Sequence, residues 1–333
     1  MTGPPPERIR LAHGGGGTLM QELIARDLLP LYSDPALALH DAAALALPHG
    51  RLAFTTDSYV VQPLEFPGGD IGSLAVIGTA NDLAMAGARP QALSLALILE
   101  EGLERALLRR LLASVAAAAR ACGLAVVTGD TKVVERGKAD GLFITTSGIG
   151  LRPPGDALHP AAIRPGDQLL VSGDLGRHGI AIAAARHGLR LDPPLVSDCA
   201  PLWPGVQALL AAGVRPRVLR DLTRGGLASA LHELAMASAL ALHVDGACLP
   251  VAPQVERTCA LLGFEPLHLA CEGRFVAVVA PEQRPRAEAL LAPAGGAWVG
   301  EVAAGEPGVT LRSPYGGERR LLPLSGELLP RIC

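Results

Sequence analysis

Five acids sit among small residues, as a phosphate-handling site requires. They are Asp57 in TTDSY, Asp82 in TANDL, Asp130 in TGDTK, Asp221 in RDLTRGG and Glu272 in ACEGR. A hard divalent ion such as Mg2+ takes carboxylates together with phosphate oxygens and waters. The four aspartates are each expected where a strand or helix meets a loop, and there the same residues also serve as turn or helix-cap acids. Glu272 can be read as a general base or as a turn acid. The run HGGGGT at 13–18 offers consecutive backbone N–H groups at Gly14, Gly15, Gly16 and Gly17. It could cradle an anion or act as a flexible linker. Lysine occurs only at Lys132 and Lys138 in an arginine-rich chain, so Lys132 beside Asp130 and Thr131 could be kept as a compact ammonium. The sequence closes in LPRIC, with the thiol of Cys333 as its last side chain. A terminal thiol is either an ordinary tail residue or a handle that carries a bound group into a site elsewhere.

The standard signatures do not explain these residues. There is no GxxxxGK[ST], no GxSxG, no HExxH, and no GxGxxG between a strand and a helix. The six cysteines form no CxxC pair, which reads as a reducing compartment without a zinc site. The net charge of −3 is spread along the chain and argues against nucleic acid as a partner. No apolar run reaches membrane-spanning length and no apolar signal core opens the chain, so a cytoplasmic protein away from the membrane is expected.

The 333 residues suggest two domains whose cores are filled mainly by Leu, Ala and Val, since aromatics make up only 3 %. Strands are expected at LAFTTDSYVV, ALSLALILE, LAVVTGDT and LFITTSGIG, with helices over 71–88 and 103–123. RPPGDALHP reads as a domain boundary. Beyond it come strands DQLLVSG, RVLRDLT, LALHVDG and RFVAVVA, and helices HGIAIAAARHG, PGVQALLAAG and GLASALHELAMAS. The stretch from Trp298 onward reads as turns. Irregular mixing of strands and helices predicts an α+β fold rather than a doubly wound sheet. The expected organisation is a loose Gly/Pro-rich segment over 1–35, domains over 36–155 and 156–312, and a flexible tail over 313–333.

Six stretches together resemble the HypE family of hydrogenase maturation (expression/formation) proteins. They are DSYVVQPLEFPGGDIGSLAVIGTANDLAMAGARP, LEEGLE, TGDTKVVERGKADGLFITTSGIG, DLTRGGLASALHE, GFEPLHLACEGR and LPRIC, in order over nearly the whole chain. The resemblance implies the two-domain fold shared with aminoimidazole ribonucleotide synthetase, selenophosphate synthetase and thiamine-phosphate kinase. In that fold the N-terminal domains of a homodimer close a β-barrel. It implies ATP and Mg2+, with metal held by Asp57, Asp82, Asp130 and Asp221, and with Asn81, Thr131, Gly225 and the glycine run near the nucleotide. Lys132 would face the transferring phosphate and Glu272 would take a proton from nitrogen. Cys333 would be carbamoylated by a HypF-type carbamoyltransferase and dehydrated to a thiocyanate. Its cyano group would pass to a HypC-HypD complex as a cyanide ligand for [NiFe]-hydrogenase. From Gly316 a tail could span about 55 Å at about 3.3 Å per residue. The chain departs from the family's DPTRGG at Leu222 and from its ANEG at Cys271. Two other readings stay open: a small-molecule ATP-dependent synthetase or kinase of the same superfamily, and a nucleotide-binding scaffold.

Overall fold

The computed structural model describes residues 7–15, 18–31, 45, 50–153, 158–322 and 329–333. The first domain carries a short helix α1 (Thr18–Leu23), then β1 (Arg51–Tyr59), a two-stranded hairpin β2 (Glu65–Phe66) and β3 (Gly69–Asp70), and α2 (Ile71–Met85). β4 (Arg89–Glu100), α3 (Arg105–Cys122), β5 (Ala125–Val134) and β6 (Leu142–Arg152) complete it. Asp70 caps α2 by accepting from Ser73 N at 2.8 Å, and Gly123 ends α3 in the left-handed conformation. The main sheet runs β1-β6-β4-β5, antiparallel except for β4-β5. One face is buried under α2 and α3. The other face keeps Phe54 69 % exposed, Leu52 58 % and Ile98 39 %.

The segment before β1 is more ordered than its composition suggests, within the residues described. Ile9 is buried, and Asp27, itself buried, accepts from Arg105 Nε at 2.6 Å and Arg109 Nε at 2.7 Å. Arg105 lies on the buried stripe of α3, and a buried guanidinium needs a carboxylate, so the N-terminal segment is drawn onto the helix.

The second domain contains β7 (Gln168–Val171), α4 (Arg177–Arg186), α5 (Trp203–Ala211), β8 (Val218–Asp221), α6 (Gly226–Ser238), β9 (Ala241–Asp245) and α7 (Pro253–Leu262). It continues with β10 (Phe275–Val279), α8 (Arg284–Leu291), β11 (Ala297–Ala303), β12 (Gly308–Arg312) and β13 (Glu318–Arg320). The sheet order is β13-β12-β9-β11-β7-β10-β8. β7 and β10 are buried on both faces. Leu169 and Val171 face α6, while Leu170 and Ala277 face α5 and α8. Continuous apolar runs are what such doubly covered strands require. The stretch expected to be turns supplies β11, β12 and β13. The chain therefore leaves the sheet only after Arg320, not at 313.

Candidate active site

The domains meet along α2, and Asn81 fastens the seam. Its Nδ2 donates to Ala200 O and Glu272 O, both at 3.1 Å, and its Oδ1 accepts from Leu202 N at 2.8 Å. The amide is thus consumed by backbone of the second domain, and Asn81 acts as a structural clamp rather than as a group pointing at nucleotide.

Beside this seam lies a cleft of about 480 Å³. Asp57 and Tyr59 of β1, Gly78 and Asp82 of α2, Asp221 at the end of β8, Arg224, Glu272 and Cys333 all line it. Three of the four predicted aspartates therefore converge, Asp221 from the end of a strand as expected, Asp57 and Asp82 from inside elements. Asp57 lies mid-strand and Asp82 mid-helix. A polar residue on an inner face that opens onto a cleft interrupts the apolar pattern much as a turn does.

Asp130 is the exception. It lies within β5, not in a loop, and its register partner on β4 is Ala96. The exposed pair Asp130 and Lys132 stands on the open face with Ile98, the partner of Lys132, and their side chains meet at 2.7 Å. Asp57 shares the helix-covered face with Thr55, whose hydroxyl donates to Asp82 at 2.7 Å. By strand order the two aspartates are three strand spacings apart, about 14 Å, and on opposite faces. Thr131 is buried on the inner face, its N–H donating to Asp130 Oδ1 at 2.8 Å. Gly14 packs against Val133 of the same strand, so part of the glycine run accompanies β5. Gly16 and Gly17 lie outside the described residues. Gly225 caps α6 beside the cleft.

Glu272 is pinned by its backbone and free at its carboxyl. Its N–H donates to Asp198 Oδ1 at 3.1 Å, its C=O accepts from Asn81, and its buried Oε1 has no hydrogen-bond partner. The next residue must be glycine, since a Cβ at Gly273 would lie 1.9 Å from Asp198 O. Burial, then the neighbouring Asp221, Asp198, Asp57 and Asp82, hold the Glu272 carboxyl well above the ordinary range. Burial, reinforced by Asp221 and Asp57 against the Thr55 hydrogen bond, pushes Asp82 up to about 6. Burial also raises Asp221. Burial and Glu272 push the Cys333 thiol up to about 12, with Arg224 opposing. Burial thus makes every one of these acids costly to ionise, and a cation bound among them would lower that cost.

No three His, Cys, Asp or Glu among the described residues stand close enough to hold a metal ion by themselves. A Mg2+ would need only one or two carboxylates there, with its remaining ligands from phosphate and water. Asp57, Asp82 and Asp221 are the predicted aspartates that line the cleft, and such an ion would draw on them.

The last three residues line this cleft. Val60 N donates to Cys333 O at 3.1 Å and Gln62 N to Arg331 O at 3.3 Å, an antiparallel pairing just beyond β1. Arg331 reaches Val60 O at 2.9 Å and Asp140 at 2.5 Å. His178 Nε2 lies 2.9 Å from Ile332 O, and a carbonyl can only accept, so Nε2 carries the proton. Nδ1 then accepts from Ser197 Oγ at 2.8 Å. Burial pulls His178 down to about 4, which keeps it neutral. Tyr59, Arg224 and His178 escaped the sequence reading. The only signal for Arg224 was its place before two glycines at the start of a helix.

The two departures are local. Leu222 is fully buried in the second domain's core, and its N–H donates to Arg274 O at 3.1 Å. Cys271 Sγ accepts from Gly176 N at 3.1 Å near the start of α4 and does not line the cleft. Cys271→Ala is expected to cost roughly 1 kcal/mol for the orphaned N–H and to leave any reaction in the cleft unchanged. Cys271→Asn should be tolerated. Urea melts and single-turnover rates check both.

Residues 39–152 match the AIR synthase related protein N-terminal domain and 164–312 its C-terminal domain. The chain is 50 % identical over 335 residues to carbamoyl dehydratase HypE of Rhodobacter capsulatus, covering 98 % of each. It superposes on a crystal structure of hydrogenase maturation protein HypE in complex with ATP, with a TM-score of 0.93 at 44 % identity. That match covers 97 % of this chain and 99 % of the other. It also matches a HypE-HypF complex at a TM-score of 0.79 and 39 % identity, covering 92 % of this chain and all of that one. The fold, the cleft and this full-length similarity agree: the chain belongs to the HypE carbamoyl dehydratase family, built from the two AIR synthase related domains.

Proposed function

We propose that this protein is an ATP-dependent carbamoyl dehydratase that acts on its own Cys333 in the cytoplasm. The observation that carries it is that Cys333 and the unbonded carboxyl oxygen of Glu272 share one acid-lined cleft. A HypF-type carbamoyltransferase would load the thiol as S–C(=O)–NH2, as the complex formed by a relative suggests. The γ-phosphoryl group of ATP then transfers to the carboxamide oxygen. The nitrogen loses one proton to solvent as that O-phosphorylated group forms. Glu272 takes the second, the C–O bond breaks with phosphate leaving, and S–C≡N remains with ADP and phosphate. Mg2+ on Asp57 and Asp82 would supply charge neutralisation for the phosphates. Arg224 adds a cation at the cleft. The cyano group would then pass to a HypC-HypD complex.

The open sheet face supports a homodimer. Phe54, Leu52 and Ile98 present apolar surface that a second copy would cover while closing a barrel. Asp130 and Lys132 share that face, so they would act at the dimer seam, Lys132 toward phosphate, with Thr131 and the glycine run alongside.

Intact mass of protein loaded by an active carbamoyltransferase and carbamoyl phosphate tests the reading. The carbamoyl adduct is expected to lose water only when MgATP is added. An adduct that persists with MgATP would sink the proposal in favour of a small-molecule ATP enzyme.

A further inference from the structure

The described tail is held chiefly by its backbone, by the first domain on one side and by α4 on the other. Arg186, the last residue of α4, donates from Nε to Gln62 O at 2.7 Å and from Nη1 to Pro330 O at 2.7 Å, and its Nη2 donates to Arg331 O. His178, two helical turns earlier, donates to Ile332 O. The tail therefore runs antiparallel to α4, with three consecutive carbonyls bound from one helix. Gln62 lies in the segment after β1 that pairs with the tail, so one guanidinium ties that segment and the tail together. Charge-assisted hydrogen bonds to carbonyls are among the stronger ones available to a neutral backbone. Neither Arg186 nor His178 lines the cleft itself.

We infer that Arg186, assisted by His178, is a positioning clamp that seats the Cys333 thiol against Glu272 by gripping the carbonyls of Pro330 and Arg331. The clamp rests on the dehydratase reading for its purpose. It holds the tail for the intramolecular step and must open for the thiol to reach the enzyme that loads it. Removing it should favour the open tail. Loading should then be unchanged or faster while dehydration slows, a split that general loss of structure would not give.

The test uses full-length Arg186→Ala and Arg186→Gln. Alkylation of Cys333 by iodoacetamide is followed by peptide mass, with buried Cys122 as an internal reporter of unfolding. Single-turnover water loss is measured on the carbamoylated proteins. In Arg186→Ala, Cys333 is expected to alkylate about tenfold faster, Cys122 to stay protected, loading to persist and dehydration to fall about tenfold, the loss of one charge-assisted contact set. Arg186→Gln should fall between this variant and wild type. If Arg186→Ala exposes Cys122, Arg186→Gln carries the test. Wild-type alkylation of Cys333 in whichever variant keeps Cys122 protected overturns the clamp. So does loss of loading in step with dehydration. If carbamoylated wild-type protein fails to lose water with MgATP, the dehydratase reading fails, while the alkylation contrast still decides the clamp.

Discussion

Cys333→Ala is expected to abolish carbamoyl loading and ATP-dependent water loss while leaving the fold and nucleotide binding in place. The side chain is partly buried against the first domain's core beside Ile332, and one sulfur is a small volume to lose there. The stability cost should stay near 1 kcal/mol or below. Activity should be lost completely, because the other five cysteines stand away from the cleft lining. The readout is intact mass with and without MgATP, paired with a nucleotide-binding titration. Residual ATP-dependent dehydration on Cys199 or any other thiol would remove Cys333 from the centre of the mechanism.

Glu272→Gln should separate chemistry from stability in opposite directions. Removing a general base costs about 10²–10⁴-fold, and dehydration should fall in that range with loading unaffected. The fold should gain stability. Glu272 is fully buried, lacks a partner at Oε1 and sits among acids that raise its pKa well above 4.5. A carboxyl with a raised folded-state pKa favours folding below its unfolded value and loses that advantage as pH climbs toward the folded one. Wild type is therefore penalised increasingly from about pH 4.5 upward, and the glutamine variant is not. A gain on the order of 1 kcal/mol at neutral pH is expected, with the difference shrinking as pH falls. The wild-type single-turnover rate should rise with pH as the base ionises, and the variant's should be flat. A variant that is less stable than wild type at pH 8, or retains the pH-dependent rate, would refute the assignment.

The sequence showed the elements whose patterns are uniform. α3 carries a clean amphipathic stripe ended by Gly123, and β7 and β10 are unbroken apolar runs. It hid β11 because glycine interrupts it for a reason of packing. Gly300 sits where a Cβ would meet His243 O of the neighbouring strand at 2.1 Å, so the residue that reads as a turn permits the strand to pair. For the site, residue types pointed to Asp57, Asp82, Asp221, Glu272 and Cys333, which do share a cleft. Spacing could not show that Asp130 faces away, because that depends on strand order and on the irregular register between β4 and β5. Nor could it reveal that Asn81 spends its amide on the seam, or that His178 and Arg186 grip the tail, since each makes those bonds to backbone over a hundred residues distant in sequence.

The antiparallel seating of residues 331–333 along Val60 and Gln62 has a kinetic consequence. A group carried on a tethered thiol is presented at an effective concentration fixed by the chain, not by the surroundings. Dehydration should therefore proceed at the same rate at every dilution that keeps the dimer assembled, with no saturation curve for the carboxamide, and each polypeptide should turn over once per loading. Flux would then be set by how often the tail is handed between proteins, and the number of copies of the chain would cap the cyano groups in transit at any moment.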